Sequence, residues 1–225
     1  MAEGTRIVLI RHGESRAQEL GILGGHVGCQ GLSDVGRQQV EALRDRLAAS
    51  GELAEATVLY SSIMPRAIET AQILSPALGG LEVRSECQFC EGHPGDADGL
   101  TWAELDERFP VPDAFDADVR RAPGWESWRE MGVRVSGALE DLVVRHPGQT
   151  IVVACHGGVV VHSMLHFLHL EELSAPKRAW LDATNTSLTE FRFGRNPYEV
   201  GTRPVQLVRF NDAAHLAGVP ASRAL

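Results

Sequence analysis

Two short apolar runs in this chain end in the same uncommon way. Arg6–Ile10 (RIVLI) passes directly into Arg11-His12-Gly13-Glu14, and TIVVAC, beginning at Thr150, passes into His156-Gly157-Gly158. Short, β-branched runs without polar interruption read as strands buried on both faces, the situation of a parallel sheet covered by helices. A buried strand that stops on a cation and an imidazole must deliver them to the edge of a hydrophobic core. In an open α/β sheet, the carboxyl ends of the parallel strands form one such edge, where ligands bind.

The remaining pattern supplies the helices. Ser33 opens SDVGRQQVEALRDRLAAS, with Val40, Leu43 and Leu47 at helical spacing and Gly51 as its stop. ATVLYSS reads as a second buried strand, and MPRAIETAQILSPAL as a helix with Pro65 in its first turn. LEVR is a short third strand, and TWAELDERF a small helix whose Thr101-x-x-Glu104 resembles a capping box. Pro110 to Pro123 reads as irregular. A long helix follows from about Glu126 to His146, stopped by Pro147-Gly148. VVVHSMLHFLHL is apolar nearly all round and so a buried helix. TSLTEFRF and VQLVRF alternate as strands closing the sheet, joined by a turn over Gly194–Arg203, and the tail after Asp212 reads as loose. This order predicts an α/β fold with a mostly parallel central sheet and helices on both faces, in three layers. The 225 residues suit a single domain over 1–225, with an inserted cap expected around 85–130.

Charge narrows the partners. Lys+Arg number 21 against 30 Asp+Glu, a net charge of −9, which repels nucleic acid and anionic membrane. The opening MAEGTRIVLI lacks the pattern of a signal peptide, and no run approaches 18 apolar residues, so a soluble cytoplasmic protein is expected. The four cysteines do not suggest a disulfide framework. An anionic small-molecule substrate would need a local positive pocket, and the strand ends supply one. Arg11 and His12 follow the first strand, and Ser61-Ser62 follow the second and lead into the helix bearing Arg66. His156 and Gly157 follow the fourth. Two arginines, two histidines and two helix N-termini converging on one spot suit a phosphoryl group. A neutral histidine there can attack phosphorus and become phosphohistidine. The leaving alkoxide needs an acid, and Glu91, in the loop after the third strand, is the candidate. With this charge from side chains, no metal and no cofactor are expected.

LIRHGES, SSIMPRAIETA, CEGHPGDADGLTWAEL and VVACHGG together resemble the histidine phosphatase (phosphoglycerate mutase-like) superfamily, over a span from Arg6 to about Ser187. The resemblance implies a phosphoglycerate mutase-like fold, with His12 as the phosphorylated nucleophile. It further implies Arg11, Arg66 and His156 as the phosphate pocket, Glu91 as proton donor, and Asn185 near the site in an N-x-S segment. Gln18 stands where the family often has an asparagine. Where the mutase branch usually shows Tyr and Arg after its acid, this chain reads EGHPGD. Hydrolysis of a small phosphorylated metabolite is therefore the leading expectation, with a phosphoglycerate-type mutase as alternative and a non-catalytic phosphate-binding module third.

Other signals are weaker. Cys87-x-x-Cys90 with His93 could hold a metal, but lacks a second pair in sequence, so the cysteines read as lining a loop. His162, His166 and His169 share one helix face but lack the glutamate of H-E-x-x-H, and read as packing. GILGGHVGCQG has no Lys-Ser/Thr end and reads as a mobile loop bordering the pocket. Arg120, Arg121, Arg129 and Arg134 are either contacts for a second anionic group of the substrate or a solvated basic patch. Trp102, Trp125 and Trp128 either line a substrate wall or pin the cap. The substrate's identity is not legible, and the oligomeric state, a homodimer included, is left open.

Overall fold

The structure is a computed structural model that describes residues 4–111, 115–170, 181–194 and 204–219. Its centre is a six-stranded sheet formed by β1 (Arg6–Arg11), β2 (Ala56–Ser61), β3 (Val83–Ser85), β4 (Thr150–Cys155), β5 (Leu188–Phe193) and β6 (Val205–Asp212), in the order β3-β2-β4-β1-β5-β6. The β3-β2-β4-β1 part is parallel, and β5 and β6 add an antiparallel edge. The helices are α1 (Arg16–Leu20), α2 (Asp34–Ser50), α3 (Pro65–Leu74), α4 (Trp102–Arg108), α5 (Trp128–Arg145) and α6 (Gly157–Phe167).

Alternation along each strand builds two cores. Ile7, Leu9, Ile151, Val153 and Cys155 face α5 and α6, through Leu139, Leu142, Val159 and Val160. Val8, Ile10, Val152 and Ala154 face α2 and α3, through Val40, Leu43, Ala71 and Leu74. The layers are thus helix, sheet, helix. Each Leu, Ile or Val fully removed from water contributes roughly 1.5–3 kcal/mol, and all those just named are essentially inaccessible.

Register places the candidate site residues. Arg11 pairs with Cys155, so His12 and His156 leave the sheet side by side. Ser61 pairs with Ala154, which sets Ser62 next to His156. Gly13 is fixed by a close crossing: a Cβ there would lie 2.5 Å from the Gly36 carbonyl oxygen, and one on Gly36 would lie 2.0 Å from that of Glu14. The loop after β1 and the first turn of α2 approach this closely only with two glycines.

Several elements differ from the sequence expectation. β1 includes Arg11, because the ladder to β4 runs one residue past the apolar stretch. α1 is new; Ser15 and Gln18 form a capping box for a helix of 5 residues, too short to leave an apolar period. α5 starts at Trp128 because Ser127 caps it, while Glu126 turns away to Arg134. The tail after Asp212 is not loose over its described part. Ala214–Leu216 form a 3₁₀ turn, and His215 Nε2 lies 2.8 Å from Thr186 Oγ1. Most of the Gly194–Arg203 turn lies outside the described residues. Segment 85–130 holds two 3₁₀ turns and α4 around a small cluster of Ala97, Leu105 and Ala122, with Trp125 packed against it. Away from the strand ends, Arg6, Arg46 and Arg209 interlock with Glu52, Glu190 and Asp212, tying β6 and β1 to the end of α2. Among the described residues, no helix is long and apolar enough to cross a membrane.

Candidate active site

His12 is buried just beyond β1. Its Nδ1 lies 2.6 Å from the Gly13 carbonyl oxygen, which can only accept, so Nδ1 carries the ring proton. Its Nε2 accepts from Arg66 Nε at 3.1 Å, so that nitrogen keeps its lone pair. The two contacts agree on one neutral tautomer. Burial, followed by the charges of Arg66 and Arg11, holds the His12 pKa well below its ordinary value.

Arg66 reaches the site from the first turn of α3, whose Pro65 supplies a helical φ without an unsatisfied N–H. Its Nη1 donates to the Gly24 carbonyl at 2.6 Å. Thr70, one turn on, accepts from Gly13 N–H at 3.2 Å and donates to the Arg66 carbonyl at 2.7 Å, joining α3 to the Arg-His-Gly turn. Arg11 donates through Nη1 to the Ala183 carbonyl and pairs with Asp182 at 3.7 Å, while its buried Nε has no protein partner. Burial lowers the Arg11 pKa, with Glu91 and Asp182 acting to raise it.

His156 is fully buried at the N-cap of α6. Its ring centre lies 5.0 Å from that of His12, edge to face. Its Nε2 is 2.7 Å from Ser62 Oγ, that oxygen accepts from Met64 N–H at 3.2 Å, and the ring Nδ1 has no protein partner. Burial and the neighbouring Arg66, His12 and Arg11 push its pKa well down. Glu91 Oε2 accepts from Gly158 N–H at 3.1 Å, at the start of α6. A Cβ on Gly157 would stand 3.7 Å from Arg11 Nε and 3.9 Å from Glu91 Oε2, so the acid and the guanidinium flank that glycine. A Cβ on Gly158 would come within 2.2 Å of Glu91 Oε1.

Asn185 donates to the His12 carbonyl at 2.9 Å and to Gln18 Oε1 at 3.4 Å. Gln18 Oε1 also accepts from Ser15 N–H at 3.1 Å, so this amide supports the loop after β1 from within the α1 capping box. The structure therefore gathers Arg11, His12, Arg66, Glu91, His156 and Gly157, and sets Asn185 and Gln18 behind the His12 backbone. A buried, unpartnered Arg11 Nε–H beside a neutral imidazole suits an anion with a candidate nucleophile next to it.

Sequence reasoning missed Asp98 as an anchor. Its carboxylate accepts from Gly25, Val27 and Gly28 N–H at 2.8, 2.7 and 2.9 Å, shaping the glycine loop whose Gly24 carbonyl holds Arg66. Nothing local to Asp98 signals this, since its partners are 70 to 73 positions away. The arginines of the later segment are spoken for: Arg120 by Glu130, Arg121 by Asp106, Arg129 by Asp118 and Arg134 by Glu126. His162 packs against Trp128 with tilted rings whose centres lie 4.1 Å apart, and His166 pairs with Glu140 at 3.0 Å, so they do not converge on one centre.

The family model described as histidine phosphatase superfamily (branch 1) matches residues 7–203. A phosphoglycerate mutase-like protein 4 of Arabidopsis thaliana is 36% identical over 160 residues, 68% of this chain and 67% of that protein. A metal-independent phosphoserine phosphatase of the same plant is 28% identical over 212 residues, covering 84% of this chain and 87% of its own. The solved structure of a mycobacterial glucosyl-3-phosphoglycerate phosphatase complexed with VO3 superposes with a TM-score of 0.73 at 26% identity, over 92% of this chain and 99% of that one. With strand order, strand-end chemistry and a match over most of its length in agreement, the chain belongs to the histidine phosphatase superfamily.

Proposed function

We propose that this protein is a phosphomonoesterase that hydrolyses small phosphorylated metabolites through a phosphohistidine on His12. The observation that carries the reading is the fixed tautomer of His12: proton on Nδ1, lone pair on Nε2, and the ring held neutral beside Arg11 and Arg66. In the first step His12 Nε2 bonds to phosphorus, the ester P–O bond breaks, and the Glu91 carboxyl gives its proton to the leaving oxygen. In the second, water bonds to phosphorus, the N–P bond breaks, and Glu91 takes a proton from that water. With Ser62 donating to His156 Nε2, the His156 proton sits on Nδ1, whose lack of a protein partner lets it serve a phosphoryl oxygen. Arg66 and the unpartnered Arg11 Nε bind the other oxygens, so preorganised charge carries much of the transition-state stabilisation. Gly157 leaves room for the phosphoryl group, and Asn185 and Gln18 hold the His12 backbone in place.

Hydrolysis is favoured over mutase action by the residues after Glu91, which read Gly92-His93-Pro94 where the mutase branch usually shows Tyr and Arg, while Arg120, Arg121, Arg129 and Arg134 each pair with a carboxylate. The 85–130 segment is assigned the role of a specificity cap, and the acidic chain with free cysteines is assigned to the cytoplasm. Phosphoserine and glucosyl-3-phosphoglycerate, from the names of the relatives, head the substrate panel. Acid-quenching the enzyme with phosphorus-labelled substrate and mapping the label should place it on His12. His12→Ala should fold normally and lose at least about 10⁴-fold in kcat. Turnover near that of the wild type in His12→Ala would remove the nucleophile, and product isomers without free phosphate would make the enzyme a mutase.

A further inference from the structure

The chain brings together, beside the phosphate pocket and separate from it, four side chains that the proposed reaction does not use. Sγ of Cys87, Sγ of Cys90 and one ring nitrogen each of His26 and His93 all lie within 4.8 Å of one another. Among the described residues, this is the one group of three or more histidine, cysteine or carboxylate side chains so gathered. We propose that these four residues form a structural zinc site.

The donor set is the first argument. Two thiols and two imidazoles are a closed Cys₂His₂ set, which selects a tetrahedral, borderline-soft divalent ion and leaves no position open for substrate. Geometry is the second. Zn–N of about 2.0–2.1 Å and Zn–S of about 2.3 Å give ligand-to-ligand edges of about 3.3–3.8 Å in a tetrahedron. Cys87 Sγ and His93 Nε2 already stand 3.4 Å apart. No spacing exceeds 4.8 Å, so a contraction of at most about 1.5 Å closes the tetrahedron, and His26 is exposed and has room to move.

The surroundings are built to hold this arrangement. Cys87 and Cys90 flank a 3₁₀ turn, Cys87–Phe89, closed by the Cys90 N–H to Cys87 carbonyl bond at 2.9 Å. The Arg134 guanidinium donates to the carbonyls of Cys87, Gln88, Cys90 and Glu91, gathering that turn around one cation near the thiols. His93 presents Nε2 to the sulfur while its Nδ1 lies 3.4 Å from Glu126 Oε2, the outer carboxylate that orients a metal-bound imidazole. His26 sits in the loop whose backbone Asp98 clamps with three hydrogen bonds. Binding would replace two S–H bonds with two Zn–S bonds and release two protons, leaving a centre with no net charge.

The site's place in the molecule gives it a task. One ligand comes from the loop that holds Arg66 through Gly24, and three come from the segment that carries Glu91. Zinc would therefore fasten the loop behind a phosphate-binding arginine to the segment bearing the acid, with no part in the chemical steps.

The test uses the full chain, without a polyhistidine tag, reduced and stripped by chelator. Added Zn²⁺ should bind one per chain and raise Tm, and Co²⁺ should give thiolate-to-metal charge transfer with tetrahedral visible bands. His26→Ala, a change at an exposed position, should keep the fold. It should lower zinc affinity by more than the roughly 10–100-fold that loss of an outer-shell partner causes. Absence of the cobalt spectrum in the reduced wild type, or equal zinc affinity in His26→Ala and wild type, overturns the site. These readouts do not depend on turnover, so a failed zinc site and a failed phosphatase reading are told apart.

Discussion

Glu91 illustrates how position singles out one side chain for the proposed acid role. It is the carboxylate that meets both Gly158 N–H and the space beside Arg11 Nε, whereas Asp98, a rival in the same segment, spends its oxygens on three loop amides. Glu91→Gln should therefore slow alkyl phosphates by roughly 10²–10⁴-fold. It should slow p-nitrophenyl phosphate far less, because that leaving group needs no proton. Comparing kcat on the two substrate types decides it, and equal slowing would take the acid role away from Glu91. At this scale the sequence was most legible where chemistry and local pattern coincide. Arg11, His12, Arg66 and His156 all sit at or just past the end of a strand or at the start of a helix. His26 was not legible as a partner of Cys87 and Cys90, because its closeness to them is created only by the fold.

Between elements, close approach decides more than intrinsic preference does. In α2, replacing Gly36 with alanine should stabilise the helix by about 1 kcal/mol on propensity alone. The added Cβ would instead meet the Glu14 carbonyl oxygen at 2.0 Å, a backbone atom that cannot swing aside. Overpacking of that kind costs about 1–3 kcal/mol, so Gly36→Ala should destabilise the protein and disturb the turn after His12. A lower urea midpoint together with a reduced kcat checks this; a raised midpoint would mean that the α2–loop crossing has slack. Helices with an apolar period, α2, α3, α5 and α6, could be read from the chain, and so could the buried strands. The 5 residues of α1 could not, and the start of α5 shifted because the Glu126–Arg134 pair is a tertiary event.

For the whole molecule, buried imidazoles set the response to acid. Unfolded histidine titrates near 6.5. Burial holds His162 at about 4, and drives His12 and His156 well down as well. The unfolded chain thus binds more protons between these limits, so stability is complete above about pH 6.5 and is lost as pH falls towards 4. His162 alone corresponds to at most about 3 kcal/mol over that window. Tm should fall steeply from pH 6.5 to 4, and His162→Gln should show a shallower fall whatever its stability at neutral pH. Equal slopes would exclude His162 as a contributor. The three-layer plan was legible because strand and helix periods alternate so regularly. The Arg6, Arg46 and Arg209 network was not, since Arg46 and Asp212 lie 166 positions apart and each looks like an ordinary surface charge.

The Arg66 Nε to His12 Nε2 hydrogen bond has a consequence for the resting enzyme. On the proposed mechanism the electron pair meant for phosphorus is already engaged, so the ring waits with a stopper in place. An arriving anion offers the guanidinium a better partner and thereby uncorks the ring it is about to modify. On that mechanism an uncharged electrophile brings no such inducement, and His12 should react with it slowly.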